Sequence, residues 1–167
     1  MLPTVPTSAT PRVAVLSVSD EFWESIAVSL TDVAKVNRIS TPQQLNDAVA
    51  TATKFDLVLV PHWRWILSPT ILATWRCVGF HTSPLPKGRG GSPIQNQIVR
   101  GLYHSELCAF EINEHMDAGD VLMREFVDLS CGSLAEIMEL LARQTGAMSR
   151  RILLESPEAV PQVGEPS

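Results

Sequence analysis

Short apolar runs that alternate with capped helix starts constrain this chain more than any other feature. Arg12–Val18 is rich in valine and reads as a buried strand. Leu57–Val60, Cys77–His81 and Leu107–Ile112 read the same way, and Val33–Ile39 is a weaker strand. The intervening stretches favour helix. Asp20–Leu30 places Phe22, Ile26 and Leu30 at helical spacing. Thr41-Pro42-Gln43-Gln44 combines a threonine cap, a proline in the first turn and a glutamine able to bond back to the cap. Ser68-Pro69 opens a brief helix. Ser92-Pro93-Ile94-Gln95 repeats the capping-box pattern and starts a helix to about Arg100. Ser133-Leu134-Ala135-Glu136 is a third, and its helix runs to about Leu154. This alternation predicts an α/β fold with a doubly wound, mostly parallel sheet.

At 167 residues the chain suits one domain with a sizeable core. Residues 12–155 form that domain. Residues 1–11 and the proline-rich tail 156–167 are too poor in apolar surface to offset the entropy of ordering them, although Val160 and Val163 offer small anchors along the body. The net charge of −5 argues against a broad nucleic-acid surface. No apolar run reaches the ~18 residues of a membrane span, and the first eleven residues lack the pattern of a secretory leader. The three cysteines, Cys77, Cys108 and Cys131, are odd in number and form no C-x-x-C pair, so neither a disulfide framework nor a zinc site is expected, and a reducing cytoplasm fits them best.

In open α/β sheets ligands bind beyond the carboxyl ends of the strands. The expected site loops are therefore 17–19, 61–67, 82–91 and 113–120. His81 ends a strand ahead of a loop rich in proline and glycine, and Asp117 lies in the turn Asp117-Ala118-Gly119-Asp120. Each alone is an ordinary structural residue. Together they form a unit, because a carboxylate beside an imidazole orients the ring. Lys87-Gly88-Arg89-Gly90-Gly91 leads into the Ser92 helix and is either a surface loop or an anion site, but it is no Walker-type nucleotide loop. His62-Trp63-Arg64-Trp65 is either edge packing or a wall for a flat heterocycle. His104 and His115 have no metal-ligand spacing with another His or Cys, so no metal is expected.

The run from His81 to Gly90, H-T-S-P-L-P-K-G-R-G, resembles the H-P-S-L-L-P-x-x-R-G signature of the 10-formyltetrahydrofolate-dependent formyltransferases. Met116 to Val121, M-D-A-G-D-V, resembles that family's L-D-x-G-D-I element, and Leu57–Ser68 resembles its apolar strand and folate-binding loop. The resemblance covers roughly Leu57 to Leu129. The variant L-P-x-G-R-G-G-S-P-x-Q-N is further similar to a branch acting on amino sugars and related small metabolites.

The resemblance implies a Rossmann-like sheet and transfer of a formyl group from N10 of the folate to a primary amine. It places two of the three family catalytic residues at His81 and Asp117. The third, an asparagine two residues before the histidine, is replaced here by Gly79, and a histidine often found seven residues before the aspartate is replaced by Phe110. Asn96 is the candidate substitute for the missing amide. The implied mechanism is attack of a neutral amine on the formyl carbon, with the resulting oxyanion stabilised by protonated His81, held by Asp117, and by an amide donor, and with proton transfer from the amine to the departing folate nitrogen completing the exchange. By the same resemblance the pterin rests against Arg64, Trp65 and Leu67 on one side and Met116 and Asp117 on the other, and the acceptor enters past Arg89, Gly90 and Gly91.

Four alternatives stand beside formylation of a small-molecule amine such as a nucleotide-linked amino sugar or a siderophore or other natural-product precursor: a hydrolase that releases formate, a catalytically impaired folate- or nucleotide-binding module, purine-pathway formylation, which needs the asparagine this chain lacks, and initiator-tRNA formylation. The last is disfavoured by the acidic charge and by the short chain after the final helix. A homodimer through Trp63, Trp65 and Trp75 would supply missing walls.

Overall fold

The structure, a computed structural model, describes residues 9–130 and 132–167. The expectations for residues 1–8 and for Cys131 lie outside the described residues. The elements in order are β1 (Arg12–Ser17), α1 (Asp20–Leu30), β2 (Lys35–Ile39), α2 (Pro42–Ala50), β3 (Leu57–His62), α3 (Pro69–Thr74), β4 (Cys77–Thr82), α4 (Pro93–Val99), β5 (His104–Glu111), β6 (Val121–Asp128) and α5 (Leu134–Glu155). The strands form one sheet in the order β2-β1-β3-β4-β5-β6.

Alternation along the strands divides the core between the two sheet faces. Val13 and Val15 of β1 pack with Leu57, Leu59 and Val78 beneath α1 and α5, which contribute Phe22, Ile26, Leu30, Ile137, Leu141, Met148 and Ile152. Ala14 and Leu16 face the other way with Val58 and Cys77, under Leu45 of α2 and Ile71 and Trp75 around α3. Burial on both faces explains why these strands read as continuous apolar runs. Trp75 is 5% exposed and its Nε1 donates to the Thr53 carbonyl at 3.0 Å, so it is a core residue and not part of an exposed tryptophan surface. Burial pushes the Cys77 thiol up to about 12, which leaves it an inert core side chain.

The three capping boxes differ. At α5 the box is complete: Glu136 N–H donates to Ser133 Oγ at 3.3 Å and Ser133 N–H to Glu136 Oε2 at 2.6 Å. At α2 Thr41 accepts from Gln44 N–H at 3.2 Å, but the Gln44 side chain takes the Ser40 N–H instead of that of Thr41. At α4 the box does not form. Ser92 is left-handed (φ 54°) and makes no side-chain cap bond, since a cap residue bonds its helix from an extended conformation.

The sheet departs from a wholly parallel arrangement at β5. Pairs β1–β2, β1–β3 and β3–β4 are parallel; β4–β5 and β5–β6 are antiparallel. The strand β6 lies outside the elements that the sequence pattern predicts. Its middle residues Arg124 and Phe126 are exposed, as an edge strand allows, so it lacks the apolar run that betrays the inner strands. No described helix is long and apolar enough to cross a membrane.

Candidate active site

The parallel pairing of β3 with β4 runs from Val58 opposite Cys77 to Val60 opposite Gly79 and then stops. Beyond that point His62 pairs with Ser17 of β1, and His81 with Cys108 of β5. The carboxyl ends of β3 and β4 are thus committed to different neighbours, and a cleft of about 710 Å³ opens there. Its walls come from the loop after β3, the end of β4, the entry to α4 and the loop after β5, with Leu141 of α5 at its base.

His81 is 8% exposed. Its Nε2 lies 2.6 Å from the Gly88 carbonyl, which can only accept, so Nε2 carries a proton. The opposite ring edge turns Nδ1 toward Asp117, 3.6 Å from Oδ2. The same carboxylate oxygen accepts the Gly90 N–H at 2.8 Å. One carboxylate therefore meets both the imidazole and the glycine loop. Among the described residues, this is the one contact between an imidazole and a carboxylate with both partners in the cleft wall.

Asp117 arrives by a route the parallel reading did not foresee. Because β5 is antiparallel, its carboxyl end lies beside the amino end of β4, with Glu111 opposite Val78. The following loop must return along β4 to reach His81. Two backbone features permit the return. Asp117 adopts φ 51°, a left-handed conformation that aspartate tolerates better than most residues. Gly119 passes so close to the Glu111 carbonyl oxygen that a Cβ there would overlap it.

Arg64, Trp65, Leu67, Gly90, Gly91, Met116 and Asp117 all line the cleft with His81. Trp63 and Trp65 stand edge to face with centroids 4.8 Å apart, while Leu67 is buried and Met116 exposed. The backbone groups of Arg64 through Leu67 make no hydrogen bond with the described residues, which leaves a strip of donors and acceptors along one wall. His62, on the same wall, stacks on Phe22 at 5.6 Å. Burial holds its pKa below the ordinary histidine value, and the Arg64 charge acts in the same sense.

Two expected residues are elsewhere. Asn96 is exposed, is absent from the cleft wall and donates its amide to the Gly91 carbonyl at 3.2 Å. Its place on α4 points it at the glycine loop, where its amide is engaged with that carbonyl. Arg89 is also absent from the wall. Its Nε and Nη2 both donate to Gln162 Oε1, at 3.2 and 2.9 Å, because the tail comes back along this side. Val160 and Val163 are 58% and 86% exposed, so their side chains do not anchor the tail; main-chain bonds between Val160 and Val121 do. Gln162 carries no motif that would have singled it out. Phe110, Ile112 and Leu141 also enter the wall, since only tertiary packing brings them to it.

The family described as formyl transferase matches residues 9–148. A methionyl-tRNA formyltransferase from Gluconobacter oxydans is 30% identical over 145 residues, covering 85% of this chain and 46% of that protein. One from Campylobacter curvus is 30% identical over 131 residues, covering 75% of this chain and 43% of that protein. The chain thus spans less than half the length of these curated relatives. Among solved structures, a methionyl-tRNA formyltransferase from Clostridium thermocellum superposes with a TM-score of 0.86 at 25% identity, covering 94% of this chain and 70% of that one. The formyltransferase PseJ from Anoxybacillus kamchatkensis, solved with a formamido sugar nucleotide and tetrahydrofolate, shares the fold with a TM-score of 0.73 at 16% identity, covering 93% of this chain and 84% of that one.

Proposed function

This chain belongs to the formyl transferase family, and from that premise we propose that it moves a formyl group from 10-formyltetrahydrofolate to the primary amine of a small metabolite. The observation that carries the reading is the His81–Asp117 pair, set 3.6 Å apart in the wall of the cleft between β3 and β4.

The cleft suits the folate. Its volume, about 710 Å³, falls within the range of sites for drug-sized ligands. A pterin is flat, with donors and acceptors along its edge. The Trp63–Trp65 wall, the apolar Leu67 and Ile112, and the unpaired backbone from Arg64 to Leu67 answer that shape and that edge. When bound, 10-formyltetrahydrofolate supplies the activated formyl group. An amine sheds one proton on becoming an amide and the departing folate nitrogen gains one; in this reading the Asp117 carboxylate takes the first and His81, 3.6 Å away, relays it to that nitrogen. The Gly88 carbonyl and the Gly90 N–H keep both groups in register. The net charge of −5 favours a small acceptor over a polyanion.

A second reading, folate binding without turnover, is favoured by Gly79, where the family amide has been replaced and its space filled by Phe110.

The test is isothermal titration with a stable 10-formyltetrahydrofolate analogue, followed by product analysis with the true donor and a panel of amines that includes methionyl-tRNA. Saturable binding near one per chain, with formylated small amine lost in His81→Ala, is the expected result. Binding with no product supports the second reading, and formate released without an acceptor indicates hydrolysis. Product from methionyl-tRNA alone overturns the small-amine acceptor. No binding overturns both readings.

A further inference from the structure

Gln162 lies seven residues beyond the end of α5 at Glu155. Val160 bonds both ways to Val121, the first residue of β6, at 2.8 and 2.9 Å, which brings the tail beside the Asp117 turn. From there the Gln162 side chain makes four contacts. Its Nε2 donates to the carbonyls of Asp117 and Gly119, both at 2.8 Å. Its Oε1 accepts from Arg89 Nε and Nη2 at 3.2 and 2.9 Å. Two carbonyls can only accept and a guanidinium can only donate, so the partners themselves fix which way the amide points.

These contacts close a ring. Gln162 holds Asp117 by its carbonyl and holds Arg89 by its guanidinium; the next residue, Gly90, donates its N–H to Asp117 Oδ2 at 2.8 Å. The Asp117 turn is left-handed at a residue that is not glycine, so it needs outside support to keep that shape. Without Gln162, neither the Asp117 carbonyl nor the Arg89 guanidinium keeps a hydrogen-bond partner among the described residues. We infer that Gln162 is a positioning residue, which sets the Asp117 carboxylate against His81 by tying the Asp117 turn to the Arg89 loop. It touches no reacting atom. The catalytic consequence rests on the formyl-transfer reading, whereas the structural one does not.

The test uses the full chain and the variants Gln162→Ala and Gln162→Glu. The glutamate variant keeps an acceptor for Arg89 but removes the donor to both carbonyls, so it leaves the tail attached and attacks only the hold on Asp117. The readout independent of turnover is amide hydrogen exchange at Gly90, with the α1 amides as the control for folding. Both variants are expected to speed Gly90 exchange about tenfold or more while α1 stays protected. Both should lower kcat by about ten- to a hundredfold with KM for the folate changed less than about threefold, as a small misplacement of a catalytic group does. Wild-type Gly90 protection in both variants overturns the inference, and so does faster exchange with unchanged kcat in an active protein. If the wild-type chain transfers no formyl group, the Gly90 result still decides whether Gln162 holds the Asp117 turn, and the failure falls on the proposed function alone.

Discussion

The ring of Phe110 occupies the space into which a side chain at residue 79 would project. A Cβ there would stand 2.8 Å from Phe110 Cζ, 3.0 Å from Cε1 and 3.1 Å from Ile112 Cγ1. The two residues are opposite each other in the β4–β5 ladder, so the contact is a direct cross-strand one. A side chain at residue 79 and the Phe110 ring therefore compete for one space, and these are the two positions where the sequence departs from the pattern its resemblance implies.

Gly79→Asn alone is expected to destabilise the chain by about 1–3 kcal/mol through overpacking. Phe110→Ala alone should cost about 3–5 kcal/mol through the cavity it leaves. The double variant should lose less than the sum of the two, since each change relieves the other. Urea denaturation of the four proteins measures this. Strict additivity would show that the ring moves aside freely and that the two positions are independent.

The left-handed φ of 51° at Asp117 separates two substitutions. Asparagine tolerates this conformation and can still accept the Gly90 N–H, so Asp117→Asn should fold with stability within about 0.5 kcal/mol of the native chain. It removes the charge that faces His81 and should reduce formyl transfer by about 10²–10⁴-fold. Thermal melts and initial rates decide the matter, and full activity in Asp117→Asn would remove the carboxylate from the chemistry.

His62 gives a pH dependence whose sign follows from its environment. Burial first, and the Arg64 charge second, hold its pKa in the folded chain below the ordinary 6.5. Between that lowered value and 6.5 the unfolded chain binds more protons than the folded one. Stability therefore falls as the pH drops from about 7 through 6.5, and the loss is complete once the pH is below the folded value. His62→Gln should flatten this part of the profile. Denaturation at pH 7.5 and at pH 5.5 compares the two proteins, and equal losses in both would show that His62 is not the titrating group.

The inner strands were legible because burial on both faces makes them apolar throughout, as in Val13–Leu16. The starts of α2 and α5 were legible because their caps act within four residues. Ser92 shows the limit of that reasoning: its sequence matches a capping box, but its backbone is left-handed, a conformation that the box cannot use. The edge strand β6 has no apolar signature in the sequence, because exposed Arg124 and Phe126 break the pattern. Of the candidate site residues, His81 and Asp117 meet as a pair, whereas Asn96 and Arg89 turn away to Gly91 and Gln162.

The sequence by itself determined the α/β class, the order of the inner elements and the identity of the two groups that face each other in the cleft. These depend on local forces, namely side-chain period, caps and the chemistry of single residues. Only the tertiary structure decided that β5 runs antiparallel, that the loop after it climbs back to set Asp117 beside His81, that Phe110 closes the space at Gly79, and that Gln162 ties the site together. Each of these depends on contacts between residues far apart in the chain, where direction and distance are set by packing of the whole sheet and leave no local pattern in the sequence.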